Sequence, residues 1–263
     1  MELDIYIVDA FTDTQFKGNS AAVVPLKEWL TPDLMQSIAT ENNLSETAFL
    51  KSVGENQYEI RWFSPMTEID FCGHATLAAS LVLFEKLGVQ ENIEFHTLEV
   101  GTLSVEKNAL GKIEMTFPLR IPQPISDIPQ ALIEGLSCKV EHVLLSPQAY
   151  FVVLENQDEI LEVQYQSEQL KTLAPYDVVV TAKGEEHDFV SRYFWPANGG
   201  DEDPVTGSIH AGLAPLWAEE LGKTSLVAYQ ASTRGGILHC EVKAEQVKVS
   251  GDGVLYMQGK IFV

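Results

Sequence analysis

At 263 residues the chain is long enough for one large domain or two of about 130 residues, and roughly 70–75% of its unfolded surface can be buried without disulfides or metal. Acids outnumber bases 38 to 17, a net charge of −21, which argues against nucleic acid and anionic membrane surfaces as partners. The acidic start Met1-Glu2-Leu3-Asp4, an apolar stretch (Ala75 to Phe84) too short to span a membrane, and three widely spaced cysteines (Cys72, Cys138, Cys240) lead us to expect a cytoplasmic protein with free thiols.

In chain order, Leu3 to Ile7 alternates as a strand. Thr31-Pro32 pairs an N-cap with proline at the first helical position and opens a helix over about 32–42. Residues 46–51 and 57–63 read as strands. Gly73 introduces a helix that runs to Leu87 and is closed by Gly88. That helix is apolar nearly all round, so other structure must enclose it. Pro118 to Pro129 holds four prolines in twelve residues and reads as an extended linker. A second apolar helix is expected from about Ser208 to Leu221, kinked at Pro215, and a final strand near 254–263.

The chain also repeats itself. At an offset of 131, Arg61-Trp62-Phe63-Ser64-Pro65 falls on Arg192-Tyr193-Phe194-Trp195-Pro196, and Glu46 on Asp177. A three-residue insertion shifts the offset to 134, where Gly73 falls on Gly207, His74 on Ser208 and Leu87-Gly88 on Leu221-Gly222. We expect an α+β protein of two homologous domains, 1–118 and 126–250. Residues 251–263 would form a terminal strand returning to the first domain. The simplest architecture wraps a curved sheet around one central helix in each, the two related by a pseudo-twofold axis.

Helix N-termini present unpaired N–H groups and suit a carboxylate, so two matched helix starts at Gly73 and Gly207 point to a carboxylate-bearing small molecule. Polar residues gather at both: Cys72-Gly73-His74 at the first, Glu202 to Ser208 at the second. Glu46 stands directly before Ala48-Phe49-Leu50, a setting that can tune a carboxylate for general acid/base work, although a solvated turn acid reads the same locally. His74 as a cap, Asp203 as a turn-former before proline and Cys72 as a small buried apolar residue are the plain alternatives.

The strings GNSAAVV (18–24), NNLSETAFL (42–50), RWFSP (61–65), CGHATLAA (72–79) and EDPVTGSIH (202–210) resemble the phenazine biosynthesis PhzF-like family, in family order over nearly the whole chain. The family shares the diaminopimelate epimerase fold. The resemblance implies two pseudo-symmetric domains with an active site between them and cofactor-free isomerisation by proton transfer, in biosynthetic chemistry and often in a homodimer. It places the catalytic glutamate on Glu46, the active-site histidine on His74 and the aspartate on Asp203. Substrate-contacting positions fall on Asn19, Ser45, Gly73, Gly207 and Ser208.

One departure bears on mechanism. The epimerase branch of this fold uses two facing cysteines, one before each central helix. Cys72 occupies the first position, but its repeat mate is Thr206, too weak an acid for the partner role. A Cys72-dependent racemase or epimerase is the alternative enzyme, and a non-catalytic metabolite-binding or interaction protein the alternative class. No P-loop, dinucleotide fingerprint or HExxH occurs, so neither cofactor nor metal is expected.

Overall fold

Glu2–Ala10 (β1) takes the extended form that its alternating apolar residues call for, and from Tyr6 onward it is buried on both faces apart from Ile7. Within the sheet it has a partner on each side. One is Asn19–Leu26 (β2), with Ala10 opposite Asn19, and the other is the terminal strand Gly253–Phe262, with Ile5 opposite Gly259. The computed structural model describes all 263 residues, and it divides into a unit of residues 1–116 with 250–263 and a unit of residues 117–249. The architecture is α+β, strand-rich with few helices. No helix is long and apolar enough to cross a membrane.

In the first unit the helix Pro32–Asn42 (α1) starts where Thr31 caps it, its hydroxyl accepting from the Leu34 amide, with Pro32 at the first position. It stops at Asn43, whose left-handed backbone (φ 49°) returns an N–H to Ala39. Glu46–Gly54 (β3), Gln57–Phe63 (β4) and Glu68–Ile69 (β5) follow. Gly73–Glu85 (α2) comes next, then Ile93–His96 (β6) and Thr102–Lys107 (β7). Every α2 residue from Gly73 to Phe84 is buried, against β1, β2, β3 and the terminal strand. Each large side chain among them contributes about 1.5–3 kcal/mol of burial. Its two hydroxyls are satisfied within the helix, Thr76 donating to the Cys72 carbonyl and Ser80 to that of Thr76. The terminal strand approaches so closely that a Cβ on Gly253 would sit 2.8 Å from a Leu81 methyl. Gly88 does adopt positive φ (79°), but it lies two residues past the C-cap Lys86, one later than expected.

The second unit repeats these pairings strand by strand. In the first, Ala21 pairs in parallel with Glu46, and Thr47 antiparallel with Phe63; Phe63 then pairs with Glu68. Tyr58 pairs in parallel with Phe95, which pairs with Leu103. In the second, the same directions join Ala149 to Asp177, Val178 to Phe194 and Phe194 to Glu202. They also join Phe189 to Ala228 and Ala228 to Leu238. Even an ion pair is kept: Arg61 grips Glu68 with two hydrogen bonds (2.6 and 2.7 Å), and Arg192 grips Glu202 likewise (2.7 and 3.0 Å). The inserted residues fall after Phe194, where Pro196–Asn198 makes a 3-10 turn.

The second central helix is His210–Leu221, two residues shorter at its start than the pattern predicts. Gly207, Ser208 and Ile209 form a turn whose carbonyls accept from residues three ahead (3.2, 3.1 and 3.0 Å), a tightened entry that shares the helix's apolar pattern. Pro215 sits inside the helix and cannot donate to the Ala211 carbonyl. That carbonyl is satisfied from outside by the Arg120 amide at 2.9 Å, which is how the helix tolerates the proline. The proline-rich stretch is ordered too: Gln123 and Pro124 pair with Leu145 and Leu144.

Candidate active site

The turn Leu44-Ser45 delivers the chain from α1 into β3, and Glu46 is the first residue of that strand, in register with Ala21. Cys72 is the N-cap of α2 and makes no side-chain cap bond; His74 stands two residues on. Asn19 opens β2 directly after Gly18, which holds φ +63°. Sequence places these residues up to 55 apart, and the packing of α2 on β2 and β3 brings them together. Asn19 is 0%, His74 4%, Cys72 6% and Glu46 8% exposed. Ser45 is half-buried beside Glu46, and Gly73, buried, is the first helical residue.

The imidazole of His74 is the hub. Its Nε2 lies 2.8 Å from Glu46 Oε2, and its Nδ1 lies 3.1 Å from Asn19 Nδ2 and 3.4 Å from Cys72 Sγ. In the neutral ring the Asn19 amide donates to Nδ1 and the single proton sits on Nε2, facing the carboxylate; the cationic ring carries a proton on each nitrogen. The close approach of Oε2 is off the N–H axis, so this buried oxygen has no aligned hydrogen bond. Burial works to lower the proton affinity of His74, but its contacts with Cys72 and Glu46 hold it well above the usual histidine value. Burial, reinforced by the Glu46 charge, pushes the Cys72 thiol up to about 11, although His74 pulls the other way. The cluster therefore sets a carboxylate against an imidazole that favours its cationic form, with a protonated thiol alongside.

The matched positions of the second unit are polar but differently wired. Asp177, the counterpart of Glu46, accepts from Tyr193 Oη (2.6 Å) on one oxygen and from Asn198 Nδ2 (2.7 Å) on the other. Burial raises its pKa against the pull of those two bonds. Ser208, the counterpart of His74, is half-buried and accepts from Gln148 Nε2 at 2.9 Å, which also donates to Tyr193 Oη at 3.0 Å. Asp203, half-buried, accepts from the hydroxyl of Thr206, the counterpart of Cys72. Gln230 closes this loop, donating to the Asp203 carbonyl (2.8 Å) and accepting the Thr206 amide (2.9 Å). Gly207 is buried in the turn ahead of the helix rather than being its first residue. Gln148, Gln230 and the buried His210 are polar residues that sequence reasoning missed. In the repeat Gln148 falls on Ser20, since Ala149 pairs with Asp177 as Ala21 pairs with Glu46, and no sequence signal marks it.

The sequence profile of the family described as phenazine biosynthesis-like protein matches residues 8–259. An uncharacterized isomerase of Pseudomonas aeruginosa is 45% identical over 262 residues, covering 99% of each chain. The crystal structure of a phenazine biosynthesis protein of the PhzF family from Enterococcus faecalis superposes with a TM-score of 0.94 at 42% identity, covering 100% of each chain. A hydroxyproline epimerase from Agrobacterium vitis shares the fold at 10% identity (TM-score 0.63, covering 99% of this chain and 92% of that one). The chain belongs to the phenazine biosynthesis-like PhzC–PhzF family, and its fold is that of the epimerase-like proteins.

Proposed function

We propose that this member of the family is a cofactor-independent isomerase that moves a proton between carbons of a small carboxylate-bearing metabolite, with Glu46 as general acid/base. The observation that carries the reading is the buried Glu46 Oε2, 2.8 Å from His74 Nε2 and without an aligned hydrogen bond. Its counterpart Asp177 is engaged on both oxygens by neutral donors, so the first unit alone keeps a carboxylate free to take a proton. That a relative sharing 45% of the sequence is called an isomerase supports the reaction class.

The chemistry balances without an electron acceptor. Glu46 removes a proton from carbon; the electron pair of the broken C–H bond is delocalised into the substrate's adjacent unsaturation or carboxylate. The same carboxyl, its proton exchanging with solvent in the interval, then protonates a different carbon, and the double bond shifts. The cationic form of His74 offsets the charge of Glu46 when it is the base and can donate to a substrate oxygen as charge develops there. The resemblance assigns Asp203, Gly207, Ser208, Asn19, Ser45 and Gly73 to holding the substrate, a part of the reading tested by variants of its own. A homodimer, checked by light scattering, belongs to the same reading.

The test mixes unsaturated cyclic and amino carboxylic acids with chelator-treated, gel-filtered protein in D₂O and follows deuterium uptake by mass spectrometry. Glu46→Gln keeps size and removes the base, and loss of a general base costs about 10²–10⁴-fold. Uptake that vanishes in Glu46→Gln while ligand binding persists is the expected result. Undiminished uptake in that variant removes Glu46 from the mechanism.

A further inference from the structure

Three metal-ligating side chains of different types converge in the first unit. Cys72 Sγ, a ring nitrogen of His74 and a carboxylate oxygen of Glu46 lie within 4.8 Å of one another, all on buried residues. His74 Nε2 stands 2.8 Å from Glu46 Oε2 and 3.9 Å from Cys72 Sγ. A tetrahedral zinc ion, with bonds of about 2.3 Å to sulfur and about 2.0–2.2 Å to nitrogen and oxygen, sets its ligand atoms roughly 3.3–3.6 Å apart. The two observed spacings bracket that value and the third lies under 4.8 Å, so shifts of about half an ångström or more in the Glu46 carboxylate and the Cys72 thiol would admit the ion.

Two further observations favour a cation. Glu46 Oε2 is a buried acceptor with no aligned hydrogen bond. A thiolate and a carboxylate with one neutral imidazole carry two negative charges, which cancel those of a divalent ion and leave a neutral buried complex. Thiolate with imidazole selects zinc over magnesium or calcium, which prefer all-oxygen sites. The second unit has no such set, since threonine, serine and aspartate (Thr206, Ser208, Asp177) stand at the matched positions.

We propose that Cys72, His74 and Glu46 form an inhibitory binding site for zinc or a similarly thiophilic divalent ion. Three protein ligands leave the fourth position to water or an incoming ligand. Binding displaces the thiol proton to solvent, together with any proton on the ligating ring nitrogen. It also takes the lone pair with which Glu46 would accept a proton from carbon, so the loaded protein does not exchange. The site stands on geometry; only its inhibitory consequence rests on the proposed role of Glu46.

The full chain, stripped with chelator and dialysed, is titrated with zinc chloride by calorimetry and with cobalt chloride by absorbance. The expected result is one saturable site with a near-ultraviolet thiolate-to-cobalt charge-transfer band. Cys72→Ser should lose the band and weaken zinc binding by more than the about 10–100-fold that loss of an outer-shell partner costs. Cys72→Ala provides the same comparison should the serine variant fail to fold, and Cys138→Ser, which alters a half-buried thiol elsewhere, should bind as wild type. Absence of saturable binding in wild type, or binding that both Cys72 variants leave intact, overturns the site. Cys72-dependent binding that leaves deuterium uptake unchanged overturns the inhibition, while Glu46→Gln independently decides the role of Glu46.

Discussion

Thr76 and His210 perform the same task in the two units: each bonds the backbone carbonyl four residues back, at the entry to its central helix. The Thr76 hydroxyl donates to Cys72 O at 2.6 Å, and His210 Nδ1 lies 2.9 Å from Thr206 O, where only a donated N–H makes a bond. The histidine does the work at greater risk, because its Nε2 is buried with no partner.

That wiring sets a pH dependence. Burial lowers the His210 pKa to about 4, against hydrogen bonds from its ring to the backbone at Thr206 and Gly207. The unfolded chain takes up this proton near the ordinary value of 6.5, so between 6.5 and 4 it binds more protons than the folded one. Stability from the neutral ring is fully present above pH 6.5 and is lost as pH falls to 4, roughly 3 kcal/mol in all. In urea denaturation, the stability difference between wild type and His210→Gln should shrink by about that amount from pH 7 to 4. A constant difference would show that the ring does not titrate this way. His74 carries the opposite sign: its raised pKa gives stability that is full below 6.5 and fades as pH rises through the raised value.

Cys72→Ser should retain most deuterium uptake, within about tenfold of wild type. The thiol touches His74 at 3.4 Å, but its pKa near 11 keeps it protonated, and its counterpart Thr206 is bonded to Asp203. A loss as large as that of Glu46→Gln, with the circular dichroism unchanged, would favour the thiol as the second base of an epimerase.

The matched arginines should not be equally costly to lose. Arg192 and Glu202 have side chains 11% and 15% exposed, and Arg192 also donates to the carbonyls of Ile160 (3.2 Å) and Val163 (2.7 Å). Arg61 and Glu68 are more open, at 16% and 32%. Breaking a buried pair costs about 3–5 kcal/mol, so Arg192→Met should approach the lower figure and Arg61→Met about half of it. Guanidinium denaturation midpoints of the two variants test the order; equal midpoints would mean that the carbonyl contacts contribute nothing.

Gly18→Ala should damage both stability and site. At φ +63° an alanine is strained, and its Cβ would lie 2.1 Å from the Ala10 carbonyl oxygen. A left-handed non-glycine residue costs about 1–2 kcal/mol before any clash, so the total should exceed about 2 kcal/mol. Asn19 follows directly, so its bond to His74 should be disturbed and deuterium uptake reduced with it. A variant with wild-type melting temperature and uptake would show that this turn is not rigid.

Sequence carried some of this further than the rest. The start of α1 was legible because Thr31-Pro32 is a local signal that acts through its own backbone. The repeat was legible because Arg61 and Arg192 align, yet their partners Glu68 and Glu202 were not read as partners, since each ion pair spans two adjacent strands. The start of the second central helix was misplaced at Ser208 because the tight turn through Ile209 carries the same apolar pattern as the helix. The identities of Glu46, Cys72 and His74 as candidates came from short motifs. Their convergence on one imidazole depends on parallel pairing of β2 with β3 and on α2 packing across both, relations between distant segments that no local pattern records.

The pairing of Glu2–Ala10 with Gly253–Phe262 has a consequence for how the protein is made. Residues 1–116 hold Glu46, His74, Cys72 and Asn19, but their unit is complete only when residues 250–263 arrive. At a synthesis rate of about 5–20 residues per second the wait is on the order of ten seconds. All of residues 117–249 emerge from the ribosome within it. Until then β1 has an open edge, a template for pairing with the terminal strand of a released copy or with another open edge. Production of active protein should therefore fall off with crowding on the message sooner than it would if the site-bearing unit were contiguous.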